Sequence, residues 1–387
     1  MGVNELISDL VKTFGAGVVT PASDLPNIRR IKSQIPMYNF VSGGGFPINR
    51  IIEHYGDYSS LKSYTAYDAI ARFQKYDWEN GEENAFSNVE WKAITIKGKK
   101  GEGDTVMYDV DKLVLRRGYK PKDEPRLKRV ALIDVEGTYT PSWGEDIFGI
   151  DNKALIYDSP DSMSKAVDVT EALLSHPDIS LVVFDSLSAA GADAETDASM
   201  ENEQMAINAR FWNKAIRKFQ AAMNRNPERD VTLIVINSAY EKVGFVMGDP
   251  EKVKNGVQLK LAKALSIRFR ALKEQPGKDD DGVEMTVGRN VSIKCMKNKT
   301  ARPFLSGNFY FSYINSDGIG AGKTDINAQI LELAIRFQLV ERSGAWYSYK
   351  DLRVQGMDEM RRKLVTENKI KELTEEVYAK IEDTHAR

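Results

Sequence analysis

The sequence predicts an α/β protein whose core is a mixed, mostly parallel β-sheet with helices on both faces. After the glycines at residues 43–45, apolar runs of strand length alternate with segments of helical periodicity, as parallel strands with crossover helices require. The last three runs are instead joined by short polar connections, which favours antiparallel pairing at one side of the sheet. The strand candidates after the first helix are residues 130–135, 181–184, 231–236, 266–272, 290–296 and 308–313.

Composition limits the class of protein. The chain has 387 residues, a hydrophobic share of 42% and a net charge of −2, which suits two or more domains and gives no overall basic field. A single cysteine, Cys295, excludes an internal disulfide framework, and three scattered histidines (His54, His176 and His385) make no zinc pattern. With no apolar run of about 18 residues and no signal-peptide pattern, we expect a soluble, cytoplasmic protein with no membrane partner.

The sequence pattern of residues 1–33 predicts a helix followed by a linker, separate from the α/β core. Residues 3–15 have apolar side chains at helical spacing, which predicts an amphipathic helix. Residues 16–33 contain Pro21, Pro26 and a basic patch, and we interpret them as a linker. The apolar positions of the helix are Leu6, Leu10, Val11 and Phe14.

The octet Gly56-Asp57-Tyr58-Ser59-Ser60-Leu61-Lys62-Ser63 is typical of a phosphate-binding loop. It follows the apolar run of residues 50–54 and opens a segment of helical periodicity. In such a loop, backbone N–H groups and the positive end of the helix face the anion, Lys62 adds a charge, and the Ser63 hydroxyl ligates Mg²⁺. The standard pattern has glycine where this chain has Leu61, so an ordinary serine-rich turn with a solvated lysine is the alternative.

Residues 81–128 interrupt the alternation of strands and helices. Two strand-like stretches flank the turn-rich sequence KKGEGD, which predicts a β-hairpin insertion. A solvated surface hairpin is one interpretation, and an added contact to nucleic acid or a partner is the other. The second rests on the basic residues near its end: Lys112, Arg116, Arg117, Lys120, Lys122, Arg126 and Lys128.

Acidic residues close two of the predicted strands, at the edge where open α/β sheets bind ligands. Asp185 ends an apolar run and is suited to hold the hydration shell of Mg²⁺ beside a phosphate loop. Glu136 follows the neighbouring strand and could activate an attacking water, but Asp134 faces the same side, so either acid remains a candidate. Trp143 is suited equally to stacking on adenine and to core packing.

Taken together, the motifs resemble those of RecA-type DNA strand-exchange recombinases. The resemblance runs from the first helix to about residue 350, and MKNKTARPF and GAWYSYK are its most specific parts. Bacterial members have glycine at position 61, and the bulky residue here is similar to phage-encoded members, which implies a viral origin and a host cytoplasm. The other motifs are LIDVEGTYTP, LVVFDS, LIVINS and EKVGFVMGDPEKVKNGVQLK.

The resemblance implies an ATP site with Mg²⁺, shared between subunits of a helical homo-oligomer. It implies that Glu136 is the catalytic carboxylate, that Trp143 stacks on adenine, and that Lys297 and Lys299 reach the neighbouring subunit's γ-phosphate. Ser63 and Asp185 are the implied metal residues. The implied cofactor-binding residues are Gly56, Ser59, Ser60, Leu61, Lys62, Ser63, Tyr64 and Trp143.

The resemblance also implies single-stranded and double-stranded DNA as partners, together with single-strand-binding and mediator proteins. Residues 240–260 match the family's second DNA loop, and residues 189–204 match the first. Because the first is strongly acidic, we assign its backbone contact to Arg210. The expected DNA residues of the second are Lys242, Gly244, Phe245, Val246, Met247, Lys252, Lys254 and Gly256.

The fold implied by the family is a RecA-like phosphate-loop ATPase core at residues 34–319, followed by a small α+β domain at residues 320–387. Ser238 stands where bacterial members have a glutamine that senses the γ-phosphate, so Ser238 or Asn237 must couple ATP to DNA. Two rival functions remain: a ring-shaped helicase motor, and a filament protein that binds ATP without hydrolysing it.

Overall fold

The computed structural model describes most of the chain at the level of secondary structure. The described residues are 3–14, 28–78, 82–83, 86–96, 105–115, 127–188, 201–241, 251–253, 256–278, 283–315 and 319–385. Among them, no helix is long and apolar enough to cross a membrane.

The core is one large sheet with the strand order β15-β14-β13-β3-β11-β10-β8-β9, in which β12 pairs with an extension of β11. The six strands from β13 to β9 are parallel, while β14 and β15 are antiparallel, so the predicted mixed sheet is confirmed. Sequence reasoning did not predict the short edge strand β9. The strands are β3 (Ile51–Gly56), β8 (Arg129–Asp134), β9 (Leu155–Asp158), β10 (Ile179–Asp185), β11 (Thr232–Glu241), β12 (Glu251–Val253), β13 (Leu265–Lys278), β14 (Glu284–Asn298) and β15 (Ser306–Ser312).

Both faces of the sheet are covered by apolar side chains. Along β10, Leu181 and Val183 join one hydrophobic cluster, whereas Val182 and Phe184 join the other, as the two-residue period of a strand requires. Helices α2 and α3 lie on the first face, and α5 and α6 lie on the second. The helices up to this point are α1 (Val3–Phe14), α2 (Pro36–Ser42), α3 (Lys62–Gln74), α4 (Pro141–Phe148), α5 (Met163–Ser175), α6 (Glu201–Arg225) and α7 (Gly256–Ala262).

The C-terminal part of the chain consists of helices around a three-stranded antiparallel sheet. Leu331, Leu364 and Val377, each from a different helix, belong to the same hydrophobic cluster as α2 and α3, so this part packs on the first face of the core. Its elements are α8 (Ile326–Arg336), β16 (Glu341–Ser343), β17 (Trp346–Tyr349), β18 (Leu352–Gln355), α9 (Met357–Thr366) and α10 (Ile370–His385).

Two short pairs and one long hairpin lie outside the large sheet. The strands β6 (Phe86–Ile96) and β7 (Thr105–Leu115) pair with each other, and with no other strand among those described. The residues on either side of this hairpin contact each other and the core: Lys128 lies over the ring of Trp78 and forms an ion pair with Asp230. The short pairs are β1 (Arg30–Ile31) with β2 (Phe46–Pro47) and β4 (Tyr76–Asp77) with β5 (Glu82–Glu83).

Candidate nucleotide-binding site

The candidate phosphate loop begins where β3 ends, and its first glycine is required by the packing of two strands. Gly56 has a φ of 146°, and a Cβ placed there would lie 1.8 Å from the carbonyl oxygen of Phe269 on β13. Real Cβ atoms do not approach an oxygen so closely. The loop can therefore leave the sheet at this point only if the residue is glycine.

Leu61, the departure from the standard pattern, directly precedes α3 and has left-handed backbone angles (φ 67°, ψ 28°). This is the conformation that glycine adopts without steric cost, which explains why the standard pattern has glycine there. The Leu61 side chain is partly buried and packs against the hydrophobic core. Apolar burial therefore offsets the steric cost of the backbone, and the loop keeps the shape that places Lys62 and Ser63.

Lys62 is buried, and its ammonium lies at the loop. Its Nζ donates to the carbonyl of Gly56 at 3.2 Å and to that of Asp57. Burial is the main cause that lowers the pKa of Lys62. The first N–H group that bonds within α3 belongs to Thr65, which donates to Leu61, so the N–H groups at the helix start are free to meet an anion.

The loop itself is held in shape by two further contacts. Ser60 is buried, and its Oγ donates to the carbonyl of Asp57 at 2.7 Å. The Ser59 carbonyl accepts a bond of 3.1 Å from Arg289 on β14. Sequence reasoning missed Arg289, because nothing near it in the chain connects β14 to the loop.

Ser63 and Asp185 lie together as a metal site requires. The Ser63 Oγ donates to Asp185 Oδ2 at 2.7 Å, and the carboxylate is almost fully buried. Burial raises the pKa of Asp185 to about 7; the Ser63 bond lowers it, and the nearby Glu136 and Asp134 raise it. A hydroxyl and one carboxylate beside a phosphate loop suit Mg²⁺, which keeps waters and takes its remaining ligands from phosphate. Among the described residues, no group of three or more His, Cys, Asp or Glu side chains is placed to hold a metal ion.

The structure separates the roles of the two acids after β8. Asp134 is buried and accepts from the N–H groups of Gly137 at 2.9 Å and Tyr139 at 2.8 Å, and from the Tyr157 hydroxyl at 3.2 Å. Its oxygens therefore hold the turn after β8. Glu136 is exposed, and its Oε1 accepts from Ser186 Oγ at 2.5 Å. Ser186 directly follows Asp185, so Glu136 lies beside the candidate metal site and is the acid available to a water.

Trp143 is half-buried near the start of α4. It packs against aromatic side chains of α3, the helix that follows the phosphate loop. Its ring lies 6.1 Å from that of Tyr64 and 6.0 Å from that of Tyr67. Tyr64 is itself buried, and burial raises the pKa of its hydroxyl. Trp143 is not fully buried, and its stacking on adenine stays a prediction.

Lys297 and Lys299 lie at the C-terminal end of β14, two strands from β3 and toward the end of the strands that is opposite the phosphate loop. The register pairs Phe269 with Gly56 and Ser266 with Lys297, which puts Lys297 about 10 Å from Gly56 along the strands and about 10 Å across them. Both ammonium groups donate to the last turn of α7: Lys297 to the Lys260 carbonyl, and Lys299 to the Leu261 carbonyl at 2.7 Å. The pair therefore does not face the nucleotide site of its own chain.

Comparison with known proteins identifies the family. The model of the RecA N-terminal domain matches residues 123–320, and that of the RecA C-terminal domain matches residues 328–386. The chain belongs to the RecA family. It is 28% identical to a RecA protein of Mycoplasma mycoides over 380 residues, which cover 97% of this chain and 91% of the relative. A RecA protein of Francisella tularensis subsp. novicida is 27% identical over 366 residues, 94% of this chain and 84% of the relative.

RecA-family proteins are DNA-dependent ATPases that act in recombination, and this chain is a RecA-type recombinase. The first family match begins at residue 123, after the phosphate loop, whereas the matches to the RecA proteins extend over nearly the whole chain. The mixed sheet and the α/β fold agree with that membership.

Most of the expected DNA-binding residues of this RecA-family chain lie outside the described residues. This holds for Lys242, Gly244, Phe245, Val246, Met247 and Lys254, and for residues 189–200 of the first loop. Arg210 is exposed on α6, Lys252 lies on β12, and Gly256 begins α7. The strand pairing of β12 with β11 brings residues 251–253 next to residues 239–241.

Proposed function

We propose that this RecA-family protein assembles as a helical filament on single-stranded DNA and uses ATP with Mg²⁺ to pair and exchange homologous strands. The observation that supports it most is the position of Lys297 and Lys299 toward the end of the strands opposite the phosphate loop, with both ammonium groups bound to α7. A charge pair in that position serves a nucleotide only if the next subunit supplies the loop. Head-to-tail repetition of such a contact generates a helix.

The chemistry assigned to each residue follows from its place. Lys62 and the N–H groups at the start of α3 bind the phosphates. Ser63 and Asp185 would hold Mg²⁺, which would supply positive charge to neutralise the transferred group. Glu136, oriented by Ser186, aligns and activates the attacking water. Lys297 and Lys299 of the adjacent subunit stabilise the charge that develops on the γ-phosphate, as an arginine finger does.

The remaining assignments concern recognition and organisation. We propose that Trp143 stacks on adenine and that residues 240–260, with Arg210, contact the DNA backbone and bases. Residues 1–33 would dock on the neighbouring subunit, residues 34–319 form the ATPase core with the inserted hairpin, and residues 320–387 form the last domain. Leu61 supports a place near phage-encoded members, and single-strand-binding and mediator proteins are the expected accessory partners.

The first test is ATP hydrolysis with and without single-stranded DNA, together with electron microscopy in a non-hydrolysable ATP analogue. We expect turnover to rise on addition of DNA and extended helical filaments to form. Equal turnover with and without DNA would contradict a coupled recombinase. Closed rings in place of filaments would support the helicase motor instead.

The second test addresses the shared site by mixing two inactive variants. Lys62→Ala removes the phosphate charge of a site, and the double change Lys297→Ala with Lys299→Ala removes the charges supplied to the neighbour. In a random mixture, about a quarter of the interfaces join an intact loop to an intact lysine pair, so activity returns to that extent. If the lysines act within their own chain, no mixture recovers activity.

A further inference from the structure

Glu53 is a buried carboxylate in the strand that carries the phosphate loop. It lies on β3, three residues before Gly56, and is 1% exposed. A charge in the middle of a buried strand is strongly destabilising unless it is paired and hydrogen-bonded. In the sequence Glu53 is one acidic residue within the run RIIEHY, and no local pattern indicates a role for it.

The partners of Glu53 come from both ends of the segment expected to bind DNA. At one end, Asn237 on β11 donates from Nδ2 to Glu53 Oε1 at 3.2 Å. At the other end, Lys263, which directly follows α7, forms an ion pair with Oε2, and Ser266 Oγ donates to the same oxygen at 2.8 Å. Lys263 Nζ also donates to Ser266 Oγ at 3.0 Å, so these two partners of Glu53 are hydrogen-bonded to each other.

A second contact joins this network to the candidate metal site. Ser188 follows Asp185 by three residues, and its Oγ accepts from the backbone N–H of Ser238 at 2.8 Å. Ser188 Oγ also lies 3.5 Å from Oδ1 of Asn237. The segment that directly follows β10 and Asp185 is thus hydrogen-bonded to β11, three residues before that strand ends at Glu241.

Stability does not explain why a charged pair is kept at this position. Replacing a buried ion pair by apolar residues of similar volume is often neutral or stabilising, so burial of Glu53 and Lys263 is weak evidence for a purely structural role. What the pair does provide is geometry: one carboxylate joins β3, β11 and the start of β13. These three strands carry the phosphate loop and both ends of residues 239–262.

We propose that Glu53, Lys263 and Ser188 are positioning residues that couple nucleotide binding to DNA binding. Glu53 and Lys263 fix both ends of residues 239–262 to the strand of the phosphate loop, and Ser188 fixes the first end to the strand of Asp185. This route takes the place of a long side chain at Ser238. The inference rests on the proposed function, since it concerns how the same two ligands communicate.

The decisive variant replaces both members of the buried pair, Glu53→Met with Lys263→Met, so that no unpaired charge is left inside the protein. The control is Arg361→Met with Asp325→Asn, another ion pair with a buried carboxylate, located in the C-terminal part of the chain, where asparagine can still cap the start of α8. For both variants and the wild type, we would measure urea unfolding, nucleotide affinity without DNA, and affinity for single-stranded DNA with and without a non-hydrolysable ATP analogue.

We expect the Glu53 double variant to unfold near the wild-type midpoint and to bind nucleotide within about twofold of wild type, because its phosphate loop is unchanged. The nucleotide-induced gain in DNA affinity should fall about tenfold, within the range typical of coupling between two sites. The control variant should keep the full gain. If the Glu53 double variant keeps it as well, the inference is wrong.

Ser188→Ala provides a second measurement that does not depend on the buried pair. Ser188 is only half-buried, so this change should fold normally, and it should reduce the nucleotide-induced gain in DNA affinity in the same direction. An unchanged gain would overturn the part assigned to Ser188. A wild-type protein whose DNA affinity ignores nucleotide would instead refute the proposed function, and the coupling inference with it.

Discussion

The left-handed backbone at Leu61 gives a prediction whose sign differs from that of an ordinary helix position. We compare Leu61→Ala with Leu61→Gly, since both remove the apolar side chain and differ only in the Cβ. At φ 67° and ψ 28°, steric strain destabilises the folded state by about 1–2 kcal/mol for a residue with a Cβ, and glycine avoids this strain. Glycine in turn lowers the free energy of unfolding by about 0.5–1 kcal/mol, because its unfolded chain is more flexible. The glycine variant should therefore be the more stable by roughly 0.5–1 kcal/mol.

The assay is urea unfolding of the two variants and the wild type, with the slopes compared to confirm that the same surface is exposed. The alanine variant should also be less stable than wild type, because it loses the contact of Leu61 with the core while keeping the strained backbone. If Leu61 had ordinary helical angles, alanine would be more stable than glycine by about 1 kcal/mol. An alanine variant more stable than the glycine variant would therefore show that Leu61 does not have a left-handed backbone in the folded protein.

Three further predictions follow from the site. Glu136→Gln should lower the rate of ATP turnover by about 10²–10⁴-fold without loss of nucleotide affinity. Asp134→Asn should chiefly lower the free energy of unfolding, since the Asp134 carboxylate accepts from two N–H groups of a turn. If both variants lost turnover equally at unchanged stability, the separate roles of the two acids would be contradicted. Because burial raises the pKa of Asp185 to about 7, Mg²⁺-nucleotide affinity should rise with pH up to about 7 and then level off, and Asp185→Asn should remove that dependence; without ligand, stability should fall as pH rises from about 4 to about 7, since the folded state holds the proton more tightly. Gly56→Ala should destabilise the protein by about 3 kcal/mol or more, as its Cβ would collide with the Phe269 carbonyl, and calorimetry showing wild-type melting would disprove the contact.

Local patterns in the sequence were enough to predict the features that depend on neighbouring residues. The period of apolar residues predicted the strands, and small residues between a strand and a helix predicted the loop at Gly56–Ser63. A carboxylate at the end of an apolar run identified Asp185. These signals are local because strand ends, turns and helix starts are set by a few consecutive side chains. The motif order then identified the family, which the domain matches bear out.

The roles of residues that act through contacts between distant parts of the chain follow from the folded arrangement alone. Asp134 and Glu136 share one side of a strand by period, and the choice between them came from the N–H groups that the fold places around Asp134. The strand register alone puts Lys297 away from the loop of its own chain. Glu53 and Lys263 are 210 residues apart, and no local pattern predicts that they meet. Such pairings arise when strands from separate parts of the chain pack into one sheet, which the sequence specifies only through the fold as a whole.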